Sequence, residues 1–407
     1  MHLPALRSKN YQIYLAGSFF SLNGAWISRI IIGWLSWDLT GSASWVGIMS
    51  FCLFAPVIVS SPLFGVLMDR IDLRRAVMTT QWILAAAILS LFILYASEAL
   101  TIWSLGFITL VVGFTNSADR TIRMSLVPLS VDKDSLPNAV ALYATIFNTA
   151  RLIGPAIGGM TIATLGTGAA ILMNLAMTLP ILLALRFLVL RERQFSDAKR
   201  EPFFVELVDG ARHAAARPII REGMILTGLS SCAVRGVMEI LPVIADGVFQ
   251  RGAQGLGHMV AAGGGGALVA SVAIAMRRTD SSDLQIPLHA HITVYIGFFA
   301  VMMLGLIDSW IAALAVTSVV GFSGTMVGIS MQSAIHLQLD DVYRSRVMSL
   351  WMIMGIGGSA TGAIVLGSLT DLFGLSVTLV GTGLVGAILS AAFKFSVARI
   401  PSSHPHK

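Results

Sequence analysis

Apolar residues run along this chain in blocks of about 20, separated by short polar breaks, and a helix of that length matches the hydrocarbon thickness of a bilayer. The blocks lack both the alternation of half-buried strands and the roughly ten-residue rhythm of a membrane barrel. The pattern predicts helices over residues 11–37, 43–67, 76–96, 100–127, 136–163, 168–190, 220–248, 253–277, 287–307, 310–338, 346–371 and 374–395. The expected fold class is therefore an all-α membrane protein with twelve transmembrane helices. Six lie on each side of a break from Arg191 to Arg221, whose basic, polar composition with Pro202 and Pro218 reads as a linker. The expected organisation is an N-terminal six-helix bundle over 1–190, a linker over 191–219, and a C-terminal six-helix bundle with a short tail over 220–407. An amphipathic helix over 203–215 fits inside the linker.

The two halves repeat one another. Val111-Val-Gly-Phe114 returns as Val319-Val-Gly-Phe322, an offset of 208 residues, and the register then holds without a gap. Asp132 falls on Asp340, Leu142 on Leu350, Gly154 on Gly362, Gly159 on Gly367 and Gly166 on Gly374. Nearer the start of each half the offset is 211, which pairs Gly17 with Gly228 and Asp69 with Asp280. The two bundles are thus expected to be pseudo-symmetric.

Composition agrees with the membrane reading: 56% of residues are hydrophobic and 12% charged, against about 25% charged in soluble domains. Lysine and arginine set the orientation. Arg7, Lys9, Arg70, Arg74, Arg75, Lys133, the seven basic residues of the central break, Arg277, Arg278, Arg344, Arg346, Lys394, Arg399 and Lys407 share one side, and Arg251 alone lies on the other. Both termini are placed in the cytoplasm. The net charge of +6 follows from this bias and calls for no nucleic acid. Trp37, Trp45, Trp103 and Trp310 fall near the outer boundary as an aromatic belt. Cys52 and Cys232 stand in different halves, and neither they nor His289 and His291 make a metal site. No phosphate loop, catalytic triad or zinc motif is present, so neither enzyme activity nor a cofactor is expected.

Charges deep inside the apolar blocks are candidate functional groups, since each costs about 2.5 to 3.5 kcal/mol there on an insertion scale. Arg29 in the first block, Arg151 in the fifth, and Arg235 and Glu239 in the seventh fall at middle to outer-middle depth, while Asp119 and Arg123 lie near the cytoplasmic end of the fourth, as a structural pair or a part of gating. The i,i+4 spacing lets Asp119 pair with Arg123, and Arg235 with Glu239. Arg151 has Ser359 as its repeat counterpart and Arg123 has Met331, so the charge is unevenly shared between the halves.

Gly65, Asp69, Arg70, Arg74 and Arg75 follow the second block in a pattern that resembles the gating loop of the major facilitator superfamily, with Asp72 and Leu73 where that pattern has a glycine and a basic residue. Gly154-Pro155-x-x-Gly158-Gly159 resembles the antiporter signature of proton-coupled exporters. Together with Leu136-Pro-Asn138, Phe147-Asn148 and Trp37-Asp38-Leu-Thr-Gly, these stretches resemble a prokaryotic branch of drug and siderophore exporters along nearly the whole chain. The resemblance implies a secondary transporter working by alternating access, with Arg29, Arg151, Arg235 and Glu239 facing a central cavity. It implies proton-coupled efflux of a small amphipathic compound by a monomer in the lipid bilayer of a prokaryotic plasma (inner) membrane. A metabolite symporter or a lysophospholipid flippase fits the same fold, and a membrane sensor or assembly factor that transports nothing would share its composition.

Overall fold

The computed structural model describes residues 4–67, 71–188, 190, 203–276 and 286–398. Asp69 and Arg70 lie outside them. The described chain is helical, with α1 Lys9–Thr40, α2 Ala43–Leu67, α3 Leu73–Ala96, α4 Ile102–Leu126, α5 Leu136–Leu165, α6 Thr167–Ala176 and α7 Leu179–Phe187 in the first half. The second half has α8 Phe203–Ala216, α9 Pro218–Ser230, α10 Gly236–Glu239, α11 Gly252–Ala275, α12 Leu288–Leu304, α13 Trp310–Leu337, α14 Asp341–Met352, α15 Gly358–Phe373 and α16 Leu375–Ala398. Among the described residues, eight helices are long and apolar enough to cross a membrane, and two shorter apolar stretches join them.

Local chemistry explains the boundaries. Ser8 caps α1 by accepting from the Tyr11 amide at 3.2 Å, Asp72 caps α3 through Arg75, and Thr101 and Ser104 form a reciprocal capping box on α4. Gly166 and Gly374 close equivalent helices at φ of 86° and 83°, and each N–H reaches back four residues, to Ile162 and Thr370. These partners are themselves 208 residues apart, so the sequence repeat is also a repeat of backbone geometry. Gly41 and Gly252, at the 211 offset, adopt φ of 58° and 55°, a left-handed conformation that other residues resist.

The seventh predicted helix is not continuous. A π turn at Ser231–Arg235 precedes α10, and a second at Val243–Val248 follows Pro242. A third, Ile353–Gly357, joins α14 to α15. Pro242 has no N–H to give an α-helical bond and its ring clashes with the preceding turn, which accounts for the break beside it.

By internal contacts the chain divides into two compact units, Met1–Lys199 with Leu241–Ala261, and Arg200–Ile240 with Ala262–Lys407. The first holds a core in which Tyr11, Tyr14, Ile122, Leu126, Tyr143 and Leu185 are buried. Here Gly154 on α5 approaches α1 so closely that an added Cβ would stand 2.8 Å from Trp26 Cβ. At Gly159 it would stand 2.7 Å from Gly257 Cα. Also in this unit, Trp37 donates its indole N–H to Asp246 at 2.9 Å, and the other oxygen of Asp246 accepts from the Gly252 amide at 3.0 Å. Trp37 thus anchors a protein contact beyond the belt role expected of it, whereas Trp45 and Trp103 stack edge to face at 5.2 Å.

In the second unit, Gly263 and Gly266 on α11 pack against α13, Gly263 also meeting Met238. Helix α8 docks on α14: Asp209 pairs with Arg346 at 2.7 Å and the His213 ring stacks on Tyr343 at 3.8 Å. Arg217 holds Asp340 at 2.7 Å and donates to the Gln338 carbonyl.

Candidate functional site

The first unit gathers arginines from three helices. On α1, the Arg29 guanidinium lies 5.5 Å from the centre of the Trp26 ring and 5.3 Å from that of Phe54 on α2. On α4, Arg120 lies 4.9 Å over Phe147 of α5, and Phe147 meets Trp26 edge to face at 6.3 Å. Arg151 stands one turn beyond Phe147 on α5. Among the described residues neither Arg120 nor Arg151 forms an ion pair with a carboxylate. The cluster contains two expected arginines, Arg29 and Arg151, and one that the spacing argument passed over. Arg120 follows Asp119 directly, and at about 100° per residue it points to a different side of α4. An arginine inside an apolar block was itself the available signal.

Asp119 and Arg123 have a separate, closed arrangement. Their side chains pair at 2.6 Å, with Arg123 wholly buried. The other Asp119 oxygen accepts from Thr80 at 2.7 Å and from Gln81 at 3.0 Å. Arg123 donates to the Ser21 hydroxyl at 2.8 Å, and Ser21 donates to the Gln81 carbonyl oxygen at 3.0 Å. The ring of bonds therefore passes through α1, α3 and α4. The Tyr14 hydroxyl donates to the Arg123 backbone carbonyl at 3.2 Å. A carboxylate with both oxygens engaged in this way fastens helices together.

In the second unit Glu239 closes α10 with 6% of its surface exposed, and the Ser359 hydroxyl donates to its Oε1 at 3.1 Å. Ser359 is the repeat counterpart of Arg151. Arg235 donates to the Gly324 carbonyl at 3.2 Å and lies along α13 where Gly324 and Gly328 leave room for it. His289 and His291 turn to different partners, Ser330 at 3.3 Å and Glu222 at 2.8 Å.

Of the loop residues singled out in the sequence, Gly65 lies in α2, Arg74 donates to the Arg186 carbonyl at 2.7 Å, and Arg75 sits 3.9 Å from Asp72. Asp69 and Arg70 are outside the described residues. Of the Gly154, Pro155, Gly158 and Gly159 set, Gly154 and Gly158 face α1 and Gly159 faces α11, with Pro155 inside α5. Here the small residues permit backbone approach that any side chain would block.

Known proteins are similar to this chain over most of its length. The staphyloferrin A transporter of Staphylococcus aureus is 24% identical, with 94% of this chain and 95% of that protein aligned. The enterobactin exporter EntS of Escherichia coli is 25% identical over 87% of this chain and 82% of its own length. Among solved structures, the nucleoside transporter NupG superposes with a TM-score of 0.72 at 12% identity, covering 96% of this chain and 99% of that one. A bacterial homologue of the human lysosomal transporter Spinster gives 0.72 at 13% identity over 96% and 97%. The family model described as transmembrane secretion effector matches residues 2–406, so the chain belongs to that family of major facilitator transporters.

Proposed function

We propose that this transporter exports a small anionic or zwitterionic amphipathic compound, of the carboxylate or catecholate kind found in siderophores, in exchange for protons. The observation that carries this reading is that Arg120, over the Phe147 ring, and Arg151, one turn further along α5, form no ion pair with a carboxylate among the described residues. Concentrated positive charge in such a setting is expensive unless an anion completes it, and the planar donors of arginine suit carboxylate-type groups. The similarity to the enterobactin exporter EntS supports the direction, and that to EntS and the staphyloferrin A transporter supports the substrate class.

On this reading the chain crosses the membrane twelve times as two six-helix bundles, 1–190 and 220–407, joined by the cytoplasmic linker 191–219. Both termini are cytoplasmic, the protein acts as a monomer, and the bundles alternate access to the bound compound. Arg29 and Arg151 bind the anion, Arg235 and Glu239 serve the proton pathway, and Asp119 supports the first bundle through its bond to Arg123. Gly65, Asp69, Arg70, Arg74 and Arg75 form the cytoplasmic gate.

The test is uptake by everted membrane vesicles of siderophores, macrolides and cationic dyes, with and without an imposed proton gradient. Gradient-dependent uptake of the anionic compounds is expected, weakened at least about tenfold by Arg29→Gln or Arg151→Gln. Preferential uptake of lipophilic cations, with the arginine substitutions leaving anion affinity unchanged, would make the arginines structural and overturn the reading.

A further inference from the structure

The arginines of the first unit are interleaved with aromatic rings. Arg120 stacks on Phe147, Arg29 lies near both Trp26 and Phe54, and Trp26 and Phe147 touch edge to face. The ring beneath Arg120 occupies one face of its guanidinium and holds the plane in place, which leaves its N–H edge to recognise an anion. The rings add a second kind of recognition. Trp26, Phe54 and Phe147 are all partly accessible, and Arg120 is exposed. Trp26 and Phe147 meet edge to face at 6.3 Å with their planes 65° apart, the preferred geometry of aromatic pairs, and a further planar ring can extend the same kind of contact.

We propose that Arg120, Phe147 and Trp26, with Arg29, Arg151 and Phe54, form a subsite in the first unit that selects anions bearing a planar aromatic ring over aliphatic anions of equal charge. This inference rests on the anion-export reading and narrows it. An aliphatic polycarboxylate gains from the guanidinium edges alone. An aryl anion gains from those edges and from stacking as well, and its ring is already preceded in the site by rings that favour the same contacts. Arg120 is the specificity-determining cation, because the ring it stacks on is the one that meets Trp26.

Matched dianions test the point: benzene-1,2-dicarboxylate against cis-cyclohexane-1,2-dicarboxylate, titrated calorimetrically into the full-length protein in lipid nanodiscs. The aromatic dianion is expected to bind about tenfold more tightly, the size of one or two aromatic contacts. Phe147→Leu should bring the two dissociation constants together, and Phe147→Tyr should keep them apart. Arg120→Gln should weaken both ligands. Equal affinities in the unaltered protein, or a preference that survives Phe147→Leu, would overturn the aromatic selection while leaving anion export standing. Binding of neither dianion, whether or not a lipophilic cation binds, would overturn both.

Discussion

Asp119 and Arg123 show how strongly a single buried group can be committed. The pair is enclosed by Thr80, Gln81 and Ser21, and Arg123 has no exposed surface. Removing one partner would leave a buried charge unanswered, at a cost of about 3–5 kcal/mol, whereas replacing both with apolar residues of similar volume is often neutral. Asp119→Ala should therefore lower the thermal unfolding temperature of the detergent-solubilised protein, and Asp119→Leu combined with Arg123→Met should restore much of it. If the double variant is as unstable as the single one, the ring matters through its hydrogen bonds rather than its charge. Glu239 differs in kind. Among its contacts is a neutral hydroxyl from Ser359, and it is the acidic residue that the proposed mechanism uses for the proton. Glu239→Gln is expected to abolish gradient-driven accumulation in vesicles while exchange of labelled for unlabelled substrate continues. Retention of gradient-driven transport would place the proton elsewhere. The i,i+4 spacing made Asp119 and Arg123 readable as partners, but it could not reveal Ser21, Thr80 and Gln81. Small polar residues are scattered through many apolar helices, and only tertiary packing distinguishes those that close a network.

Among the elements, α8 is the one whose attachment depends most plainly on protonation. Burial between the docked helices lowers the His213 pKa, and neighbouring Arg217 lowers it further, while Asp340 and Asp209 act in the opposite sense. The undocked histidine, with an ordinary value near 6.5, then binds protons that the docked one refuses. Docking on α14 is consequently complete above that value and weakens as the pH falls below it. A spin label at Val208 should become more mobile between about pH 7.5 and pH 5.5, and His213→Phe, which keeps the stack on Tyr343, should remove the change. An unchanged pH response in that variant would assign it to the carboxylates instead. The close approach of α5 depends on a different property, the absence of side chains. Gly159→Val would push into the backbone at Gly257, so its unfolding temperature should fall even though no polar group is lost. The glycine spacing in the sequence announced a tight contact on α5. It could not name α11 as a partner, because small residues specify how near another helix comes and carry no address.

At the scale of the molecule, the twofold sequence pattern was the most legible feature. It reappears in paired glycines of positive φ, of which Gly166 and Gly374 close equivalent helix ends. The apolar blocks located the helices for the same reason, since crossing a bilayer sets a length that sequence must honour. What the pattern hid is a difference between the copies. Each π turn of the described chain falls in the second half, at Ser231–Arg235, Val243–Val248 and Ile353–Gly357. The corresponding stretches of the first half, residues 20–37 and 145–149, lie within the unbroken helices α1 and α5. Hydrogen bonds of the i→i+5 kind are poorer and resist bending less. Duplication has thus yielded one set of stiff struts and one set of compliant ones from a common plan. Amide hydrogen exchange should be faster at 231–248 and 353–357 than at their counterparts, and similar rates in the two halves would mean the broken helices are as rigid as the straight ones. A bending load applied to both copies would then be absorbed by the helices that bear Arg235 and Glu239, while the arginine cluster on α1, α4 and α5 would hold its shape.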